Sequence, residues 1–241
     1  MTNERPILFS GAMVRAILDG RKTQTRRVVK PQPPAHTRVV DTYHYPGERD
    51  RFYASDSGSL LDGWTQHCPH GQPGDRLWVR ETHQFRGANY GDSGGEIEWF
   101  RVYGNGGAGD NWDPDFPAGF EPSRHDGVRK LTEPGEQEGD GVVGYVTKRR
   151  PGIHMPRWAS RIQLEVTGVR VERLNDCSEA DAIAEGIAPE LDGWTDYSNP
   201  SCQMCTNPID SYRSLWDSIN GAGAWETNPW VWVVEFRRVQ P

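Results

Sequence analysis

The residues best suited to chemistry in this sequence lie close together near its start. Lys22, Thr25 and Arg27 follow Gly20 at fixed spacing, in the segment GRKTQTRR of residues 20–27. An amine, a hydroxyl and a guanidinium in one pocket can bind a polar nucleobase, or they can hydrolyse an amide when a base activates the hydroxyl. A carboxylate completes such a set, and the segment of residues 174–187 supplies candidates, among them Glu185 at the end of a predicted helix.

The hydrolytic interpretation needs Lys22 to act as a base towards the Thr25 hydroxyl. Burial, or the neighbouring charges of Arg26 and Arg27, would lower the pKa of that lysine towards the range in which it loses its proton. Residues three apart in an extended strand point to opposite faces of the strand. The two side chains therefore share a pocket only if the chain turns or bulges between them, as a left-handed cap at Gly20 would allow.

Glu185 would then transfer a proton to the leaving amine, and Arg27 or backbone N–H groups would stabilise an oxyanion. In the alternative interpretation, Lys22 and the arginines contact phosphate, Thr25 is a strand residue without a chemical role, and Glu185 is a solvated helix end. The position of the Glu185 carboxylate separates the two interpretations. Within hydrogen-bond distance of Lys22 or Thr25 it favours catalysis, and in solvent it favours phosphate binding.

The composition indicates a soluble protein with a modest core. The chain has 241 residues, 35% of them hydrophobic, which allows one large or two small domains. No stretch approaches the roughly 18 apolar residues of a membrane span, and no apolar signal region opens the sequence. Four cysteines at irregular spacing agree with a reducing compartment. We therefore predict a cytoplasmic protein that does not associate with membranes.

The charges are unevenly distributed although the net charge is −7. Residues 1–30 and residues 145–173 each contain seven lysines and arginines against two acidic residues. Local basic surfaces of this kind bind phosphate even on an acidic protein, but they can also be ordinary solvated faces. The sequence predicts a nucleoside or RNA as the partner and does not exclude DNA. The predicted binding residues are Arg21, Arg26, Arg27, His154, Arg157, Trp158 and Arg161.

The second basic segment contains a potential stacking surface. Trp158 could stack on a base while Arg157 and Arg161 reach phosphates, because Pro156 predicts a shaped loop at this point. In the alternative, Trp158 is a core residue and the arginines pair with acids.

Apolar periodicity predicts a mixed α+β fold. Helices are expected after Ser10, after Ser178 with Asp181 in a capping box, and over residues 209–219. Short strands are expected at residues 7–9, 23–29, 76–81, 97–103, 142–146, 162–166, 169–171 (after a break at Gly168) and 230–239. We predict a single domain over residues 1–241, built as a small β-barrel with two or three flanking helices. Residues 31–70 and 104–141 are predicted to be irregular loop insertions.

Cysteines and histidines suggest one further site. Cys202 and Cys205 form a C-x-x-C pair, and Cys68 and His70 could complete a tetrahedral structural zinc site. Four protein ligands would leave no open catalytic position, so the predicted hydrolysis requires no cofactor. Buried free thiols are the alternative. Separately, Glu81 and His83 follow a predicted strand. A Glu–His pair at a strand end can be catalytic, but from the sequence alone we expect a surface pair.

The spacing of the first motif resembles a known signature. Gly20-x-Lys22-x-x-Thr25-x-Arg27 is similar to the ASCH-domain signature G-x-K-x-x-E-x-R, with Thr in place of the usual Glu. One branch of that family, bacterial amidohydrolases acting on N(4)-acetylcytidine, carries the same Thr variant and a catalytic Glu on a later helix. The resemblance implies that Lys22, Thr25 and Glu185 form a catalytic triad, with Thr25 as nucleophile and Lys22 as base.

Other parts of the chain resemble a second branch of the family. Residues 6–18, 74–82, 154–161 and 228–233 are similar to ASCH-containing proteins of phages and prophages, which implies expression in a bacterial host cell. The family shares a PUA-like barrel with modules that bind RNA or modified bases. The resemblance implies recognition of a base in a pocket built from residues 20–27, residues 154–161 and the Glu185 helix. The alternatives are a non-catalytic reader of RNA or modified DNA, and a ribonuclease.

Overall fold

The chain folds into two compact units. The computed structural model describes residues 3–44, 47–56, 59–89, 98–103, 129–130, 143–199 and 204–239. The first unit comprises Met1–Ile7, Ala12–Trp78 and Ile162–Pro241, and the second comprises Leu8–Gly11 and Val79–Arg161. Within the described ranges there are three α-helices and four sheets. The predicted α+β class is confirmed, whereas the single-domain organisation stays a prediction.

Most residues of the five-stranded sheet belong to the first unit. Its strands, in spatial order, are β1 (Glu4–Leu8), β6 (Arg76–Arg80), β11 (Gln163–Arg173), β15 (Trp230–Val239) and β2 (Gln24–Val28). Strand β15 pairs antiparallel with both β11 and β2. Strands β1 and β2 form the two edges, so the sheet is open, and the described strands form no closed barrel. Local alternation of apolar residues predicted the strands. Whether a sheet closes into a barrel depends on whether its two edge strands pair, and the local pattern does not determine that pairing.

Strand β15 has buried core side chains on both of its faces. Val231 and Val233 point to one face, where they belong to an apolar cluster with Tyr212 and Trp216. Trp232 points to the other face, where its ring meets that of Phe52 edge to face at 4.8 Å. The C-terminal strand therefore holds two layers of side chains against one sheet.

Three helices flank the sheet, as the apolar periodicity predicts. They are α1 (Gly11–Leu18), α2 (Glu179–Ala184) and α3 (Pro208–Asn220). The capping box predicted at the start of α2 is present: the Ser178 hydroxyl accepts from the Asp181 N–H, and the Asp181 carboxylate accepts from the Ser178 N–H. Asn207 caps α3 by accepting from the Ile209 N–H. Helices α2 and α3 thus begin at residues whose side chains accept from their first free N–H groups.

The remaining sheets are smaller. In the first unit they are β3 (Val39–Tyr43), β4 (Arg51–Asp56) and β5 (Ser59–Gln66), and then β12 (Pro189–Glu190), β13 (Gly193–Thr195) and β14 (Met204–Cys205). The second unit contains β8 (Glu98–Tyr103), β7 (His83–Asn89), β10 (Val143–Val146) and β9 (Arg129–Lys130), in that spatial order.

Two predictions about irregular structure are wrong. Residues 31–70 contain the three-stranded sheet β3–β4–β5 rather than an irregular insertion; β4 buries Phe52 and Ala54 but carries few other apolar residues, so its alternation is weak in the sequence. Gly168 does not end a strand, because β11 continues through it with a shift of register between Val166 and Gly168. The insertion predicted over residues 104–141 lies outside the described residues except for β9.

No described helix is both long and apolar enough to span a membrane.

The turn after α2 brings two segments into close contact. Gly186 has φ +84°, a conformation that glycine adopts without strain. A Cβ atom at this position would lie 2.7 Å from the Cβ of Lys22 and 3.0 Å from the Cβ of Ala16. Gly186 therefore lets the end of α2 approach the residues that follow α1.

We expect Gly186→Ala to destabilise the protein by on the order of 3 kcal/mol, because the substitution adds both backbone strain and overpacking. Gly20→Ala is the matched control, since Gly20 has φ +75° and a Cβ there would meet nothing within 4 Å. It should cost only about 1 kcal/mol. Urea unfolding of both variants measures the two losses of unfolding free energy. Equal losses would show that the contact of Gly186 with Lys22 and Ala16 does not require glycine.

Candidate functional site

Lys22 precedes strand β2 instead of lying within it. The backbone N–H groups of Arg21 and Lys22 both donate to the carbonyl of Ala16 at 2.9 Å, which turns the chain after Gly20. The Thr23 N–H then donates to the carbonyl of Ala184 at 2.9 Å, at the end of α2. The chain therefore turns after Gly20 and before Lys22.

The Lys22 ammonium is fully buried and bound to Glu185. Its Nζ donates to the Gln24 carbonyl, to the Glu185 carbonyl and to Glu185 Oε2, each at 2.8 Å. An ammonium has three N–H donors, and here each one has an acceptor. Burial lowers the pKa of Lys22, and the charge of Glu185 opposes that shift. The Glu185 carboxylate thus lies within hydrogen-bond distance of Lys22, the position that favours the catalytic interpretation.

Arg26 is buried among three carboxylates. Its Nη2 lies 2.6 Å from Glu172 Oε1 and 3.4 Å from Asp181 Oδ2, and its Nη1 lies 3.4 Å from Glu185 Oε1. Arg170 also donates to Asp181 Oδ1, at 2.8 Å. Although burial raises the pKa of Asp181, hydrogen bonds from Ser178 and Gln24 and the charge of Arg26 hold it well below the usual range. These cations are neutralised inside the protein, so Lys22 and Arg26 are poorly placed to bind phosphate.

The Arg21 side chain contacts residues on both sides of the turn after Gly20. Its Nη1 donates to the Gly186 carbonyl at 3.1 Å, and its Nη2 pairs with Asp19 Oδ2 at 3.0 Å. The side chain is half-buried, and its contacts explain its position in the motif without a ligand.

A cavity with a volume of about 80 Å³ lies between β2 and α3. This is several times the roughly 10–15 Å³ that a cavity needs to hold one water molecule. Charged and polar groups line one part and apolar side chains line the rest. The lining residues are Met13, Thr25, Arg26, Arg27, Val28, Glu185, Tyr212, Leu215, Trp216, Ile219 and Asn220.

Thr25 and Glu185 line this cavity together, and Lys22 is not among its lining residues. Thr25 is buried, and none of the described residues forms a hydrogen bond with its hydroxyl. Glu185 is therefore the member of the Lys22–Glu185 pair that lines the cavity. A ligand in the cavity would contact Thr25, Arg27 and Glu185, whose carboxylate is held by a buried ammonium.

Tyr212 is a functional candidate that the sequence analysis missed. It lines the cavity from α3, and Arg26 Cζ lies 5.8 Å from the centre of its ring. Burial raises the pKa of Tyr212 well above the value of a free tyrosine, and the nearby Glu185 carboxylate raises it further. The only signal in the sequence is a tyrosine on a predicted amphipathic helix, which is equally typical of a core residue.

The other predicted binding residues lie in the second unit. His154 is exposed and Arg157 is half-buried. Trp158 is 46% exposed, and its ring stacks on Phe85 at 6.1 Å with an interplanar angle of 18°. Arg161 forms a two-pronged ion pair with Glu81, with Nε 3.0 Å from Oε1 and Nη2 3.2 Å from Oε2. The pairing of Arg161 with an acid matches the alternative interpretation for that residue, whereas the exposure of Trp158 does not match a core position.

The expected surface pair of Glu81 and His83 is wrong. Glu81 is 4% exposed and His83 is 1% exposed. The strand that precedes them continues into a buried segment, where Met155 Sδ accepts from the Glu81 N–H. Glu81 is tolerated there because the Arg161 guanidinium satisfies both of its oxygens.

The predicted zinc ligands do not come together among the described residues. Cys202 lies outside the described residues, and Cys68, His70 and Cys205 form no group of the kind that holds a metal. Burial raises the pKa of the Cys68 thiol to about 11 and lowers the pKa of His70 to about 4. Both side chains are therefore neutral near pH 7, and Cys68 is a free buried thiol.

No family model, curated protein or solved structure matches this chain. The cavity geometry and the motif residues are therefore the basis for a proposed function.

We expect Lys22→Met to cost about 3–5 kcal/mol of unfolding free energy, because it leaves the Glu185 carboxylate buried without its closest cation. The double variant Lys22→Met/Glu185→Gln should recover part of this loss, since the uncompensated charge is gone. Lys30→Met, at an exposed lysine of the same segment, is the control and should be near neutral. Urea unfolding gives the coupling energy, and strictly additive costs would argue against the ion pair.

Proposed function

We propose that this protein is an ASCH-like, PUA-like domain that binds an acylated nucleobase and hydrolyses its exocyclic amide. N(4)-acetylcytidine is the substrate of this class that the motif suggests. The observation that carries the proposal is Glu185, whose carboxylate Lys22 holds at 2.8 Å and which lines the same cavity as Thr25. A nucleophile and a proton acceptor are the minimum for acyl transfer.

The reaction has two steps in this proposal. In the first, Thr25 Oγ1 forms a bond to the acyl carbon and its proton passes to the Glu185 carboxylate. That proton then moves to the exocyclic nitrogen, the C–N bond breaks, and cytidine leaves while the acetyl group stays on Thr25 as an ester. In the second, water attacks the ester, its proton passes through Glu185 to Thr25 Oγ1, and acetate is released.

The geometry supports a different division of roles from the one that the motif implies. Lys22 was predicted to be the base, but all three of its donors are engaged and it does not line the cavity. We therefore assign proton transfer to Glu185 and assign Lys22 the role of holding that carboxylate in place.

The cavity walls fit a neutral acylated base better than a phosphate. Met13, Leu215 and Ile219 supply apolar surface, and the charge of Arg26 is already balanced by Glu172 and Glu185. A methyl group on apolar side chains and a polar ring edge near the carboxylate would satisfy both parts of the lining. A ribonuclease needs cations that can contact phosphate. Because Arg26 is paired with carboxylates inside the protein, it gives no support to that alternative.

We expect the wild-type protein to convert N(4)-acetylcytidine to cytidine and acetate. Thr25→Ala and Glu185→Gln should each lower kcat by at least about 100-fold, because each removes a group that takes part in bond making or proton transfer. Thr23→Ala and Glu179→Gln are matched controls at exposed positions of the same segments and should keep full activity. Chromatography of the nucleosides, together with the melting temperature of every variant, provides the measurement.

The outcomes separate catalysis from binding. Absence of turnover by folded wild-type protein would refute hydrolysis of this substrate. If calorimetry then showed cytidine or its acetylated form bound with an affinity that Glu185→Gln reduces, the cavity would be a reader of bases. Undiminished turnover by Thr25→Ala would exclude the covalent mechanism.

A second candidate function is nucleic-acid binding by the second unit. One observation favours it: Trp158 is nearly half exposed and lies parallel to Phe85, an arrangement that leaves an aromatic surface for a stacked base. Residues 143–164 also contain five lysines and arginines and no acidic residue. Lys148 and Arg149 are exposed within this segment.

We expect the protein to bind single-stranded RNA in a salt-dependent manner if this second function is present. Trp158→Ala should weaken binding by about 1–3 kcal/mol through loss of stacking, and Lys148→Ala should lower the slope of binding against salt concentration. Trp194→Ala, at a half-buried tryptophan of the first unit, is the control and should leave binding unchanged. Fluorescence anisotropy at several salt concentrations measures these effects, and equal binding by Trp158→Ala would refute the stacking role.

A further inference from the structure

We propose that Arg5 and Arg49 form an anion-binding site beside the turn of residues 68–71, which takes the phosphate group of a small ligand. Arg5 Nη1 donates to the Pro69 carbonyl at 3.2 Å. Arg49 Nη2 donates to the preceding carbonyl, that of Cys68, at 2.9 Å. Because consecutive Cα atoms are about 3.8 Å apart, these contacts place the two guanidinium groups within a distance on the order of 10 Å. The site belongs to the first unit and does not depend on the proposed hydrolysis.

The charges of these two arginines are not balanced by carboxylates in the part of the chain that the structure describes. Their Nε–H groups are buried and have no acceptor among those residues. Carboxylates bind Arg26 and Arg161, by contrast, at 2.6 Å and 3.0 Å. A guanidinium has five N–H donors, and one carbonyl oxygen accepts from each of the two arginines. Their positive charge therefore remains for a ligand to neutralise.

The acidic residues near the two arginines are directed elsewhere. Glu48 is exposed to solvent. Asp50 Oδ1 lies 2.7 Å from His44 Nδ1. Asp75 Oδ2 accepts from the backbone N–H of Gln72 at 3.2 Å. These contacts leave the guanidinium groups without a competing anion from the same segments.

Several positive charges converge on the turn. Burial raises the pKa of Cys68 to about 11, although the charges of Arg49 and Arg5 oppose that shift. Burial, together with the charges of Arg27 and Arg5, lowers the pKa of His70 to about 4. Three guanidinium groups thus act on adjacent residues of one turn, and an anion bound there would be attracted by all three.

The turn is held in place before a ligand binds. The Gly71 N–H donates to the Cys68 carbonyl at 3.3 Å, and Gly71 has φ +105°, which glycine adopts without strain. The Asp50 N–H donates to Gln72 Oε1 at 3.3 Å, and the Asp50 carbonyl oxygen lies 2.9 Å from His67 Nδ1. The segment that carries the second arginine is therefore tied to the turn, so binding requires little ordering of the protein.

Phosphate is the ligand that matches these donors. A guanidinium presents parallel N–H groups that bind two oxygens of one phosphate, and the opposite charges strengthen both hydrogen bonds. Both arginines are half-buried, which increases the attraction because less water screens it. Free phosphate and the terminal phosphate of a nucleotide share this chemistry.

The test is a calorimetric titration of the whole protein with inorganic phosphate in a chloride buffer. We expect a dissociation constant of about 1 mM or lower. Arg5→Ala and Arg49→Ala should each weaken binding by at least about tenfold, because each removes charge-assisted hydrogen bonds. Arg15→Ala and Arg51→Ala are matched controls at exposed arginines and should stay within about twofold of wild type.

A further variant covers the case in which an alanine variant does not fold. Arg49→Lys keeps the charge and the long side chain but loses the fork of parallel donors. Binding should therefore weaken by about threefold or more, while the melting temperature stays close to that of wild type.

Titrations with adenosine 5′-monophosphate and with adenosine identify the source of the phosphate group. Binding of the monophosphate at least about tenfold tighter than phosphate would identify a nucleotide, and equal binding would identify free phosphate; both results support the site. If folded wild-type protein bound neither at about 10 mM, or if both alanine variants bound as wild type does, the proposal would be overturned. Loss of binding in Glu185→Gln alone would place the anion in the cavity and would also overturn it.

Discussion

The buried ion pair between Lys22 and Glu185 is the interaction on which the rest of the first unit depends. Removing two charges from water costs several kcal/mol for each ion. Three hydrogen bonds from Lys22 and a second cation, Arg26, offset that cost. To reach this geometry, the chain must turn after α1 and end α2 beside β2, and Gly186 must leave room for Lys22. One polar contact thus fixes the relative position of three elements.

The same constraint changes the meaning of the basic segment near the start of the chain. Lys22 and Arg26 are surrounded by Glu172, Asp181 and Glu185, so they contribute little positive potential at the surface. Internal compensation of this kind orients a carboxylate at the cavity wall and surrounds it with fixed charges. An arrangement fixed before a ligand arrives suits proton transfer, because no charge has to be reoriented during the reaction.

Local sequence signals predicted an element correctly where the residues that stabilise it lie within that element. The Ser178–Asp181 capping box and the α3 helix follow from residues within one turn of the helix start. Strand β2 and strand β15 follow from composition and alternation. The wrong predictions concern segments whose structure depends on contacts with distant parts of the chain. The β3–β4–β5 sheet is stabilised by pairing between weakly alternating strands, and Glu81 is buried because Arg161, 80 residues away, pairs with it.

The sequence by itself determined the spacing of Lys22, Thr25 and Arg27, the capping box that begins α2, and the chemical types available to a site. The tertiary structure alone decided that Glu185, 163 residues after Lys22, is its partner, that Lys22 lies behind the cavity, and that Tyr212 lines it. Spacing and capping are local properties that a few neighbouring residues fix. Which distant carboxylate meets a buried ammonium depends on desolvation and packing, and these exist only once the chain has folded.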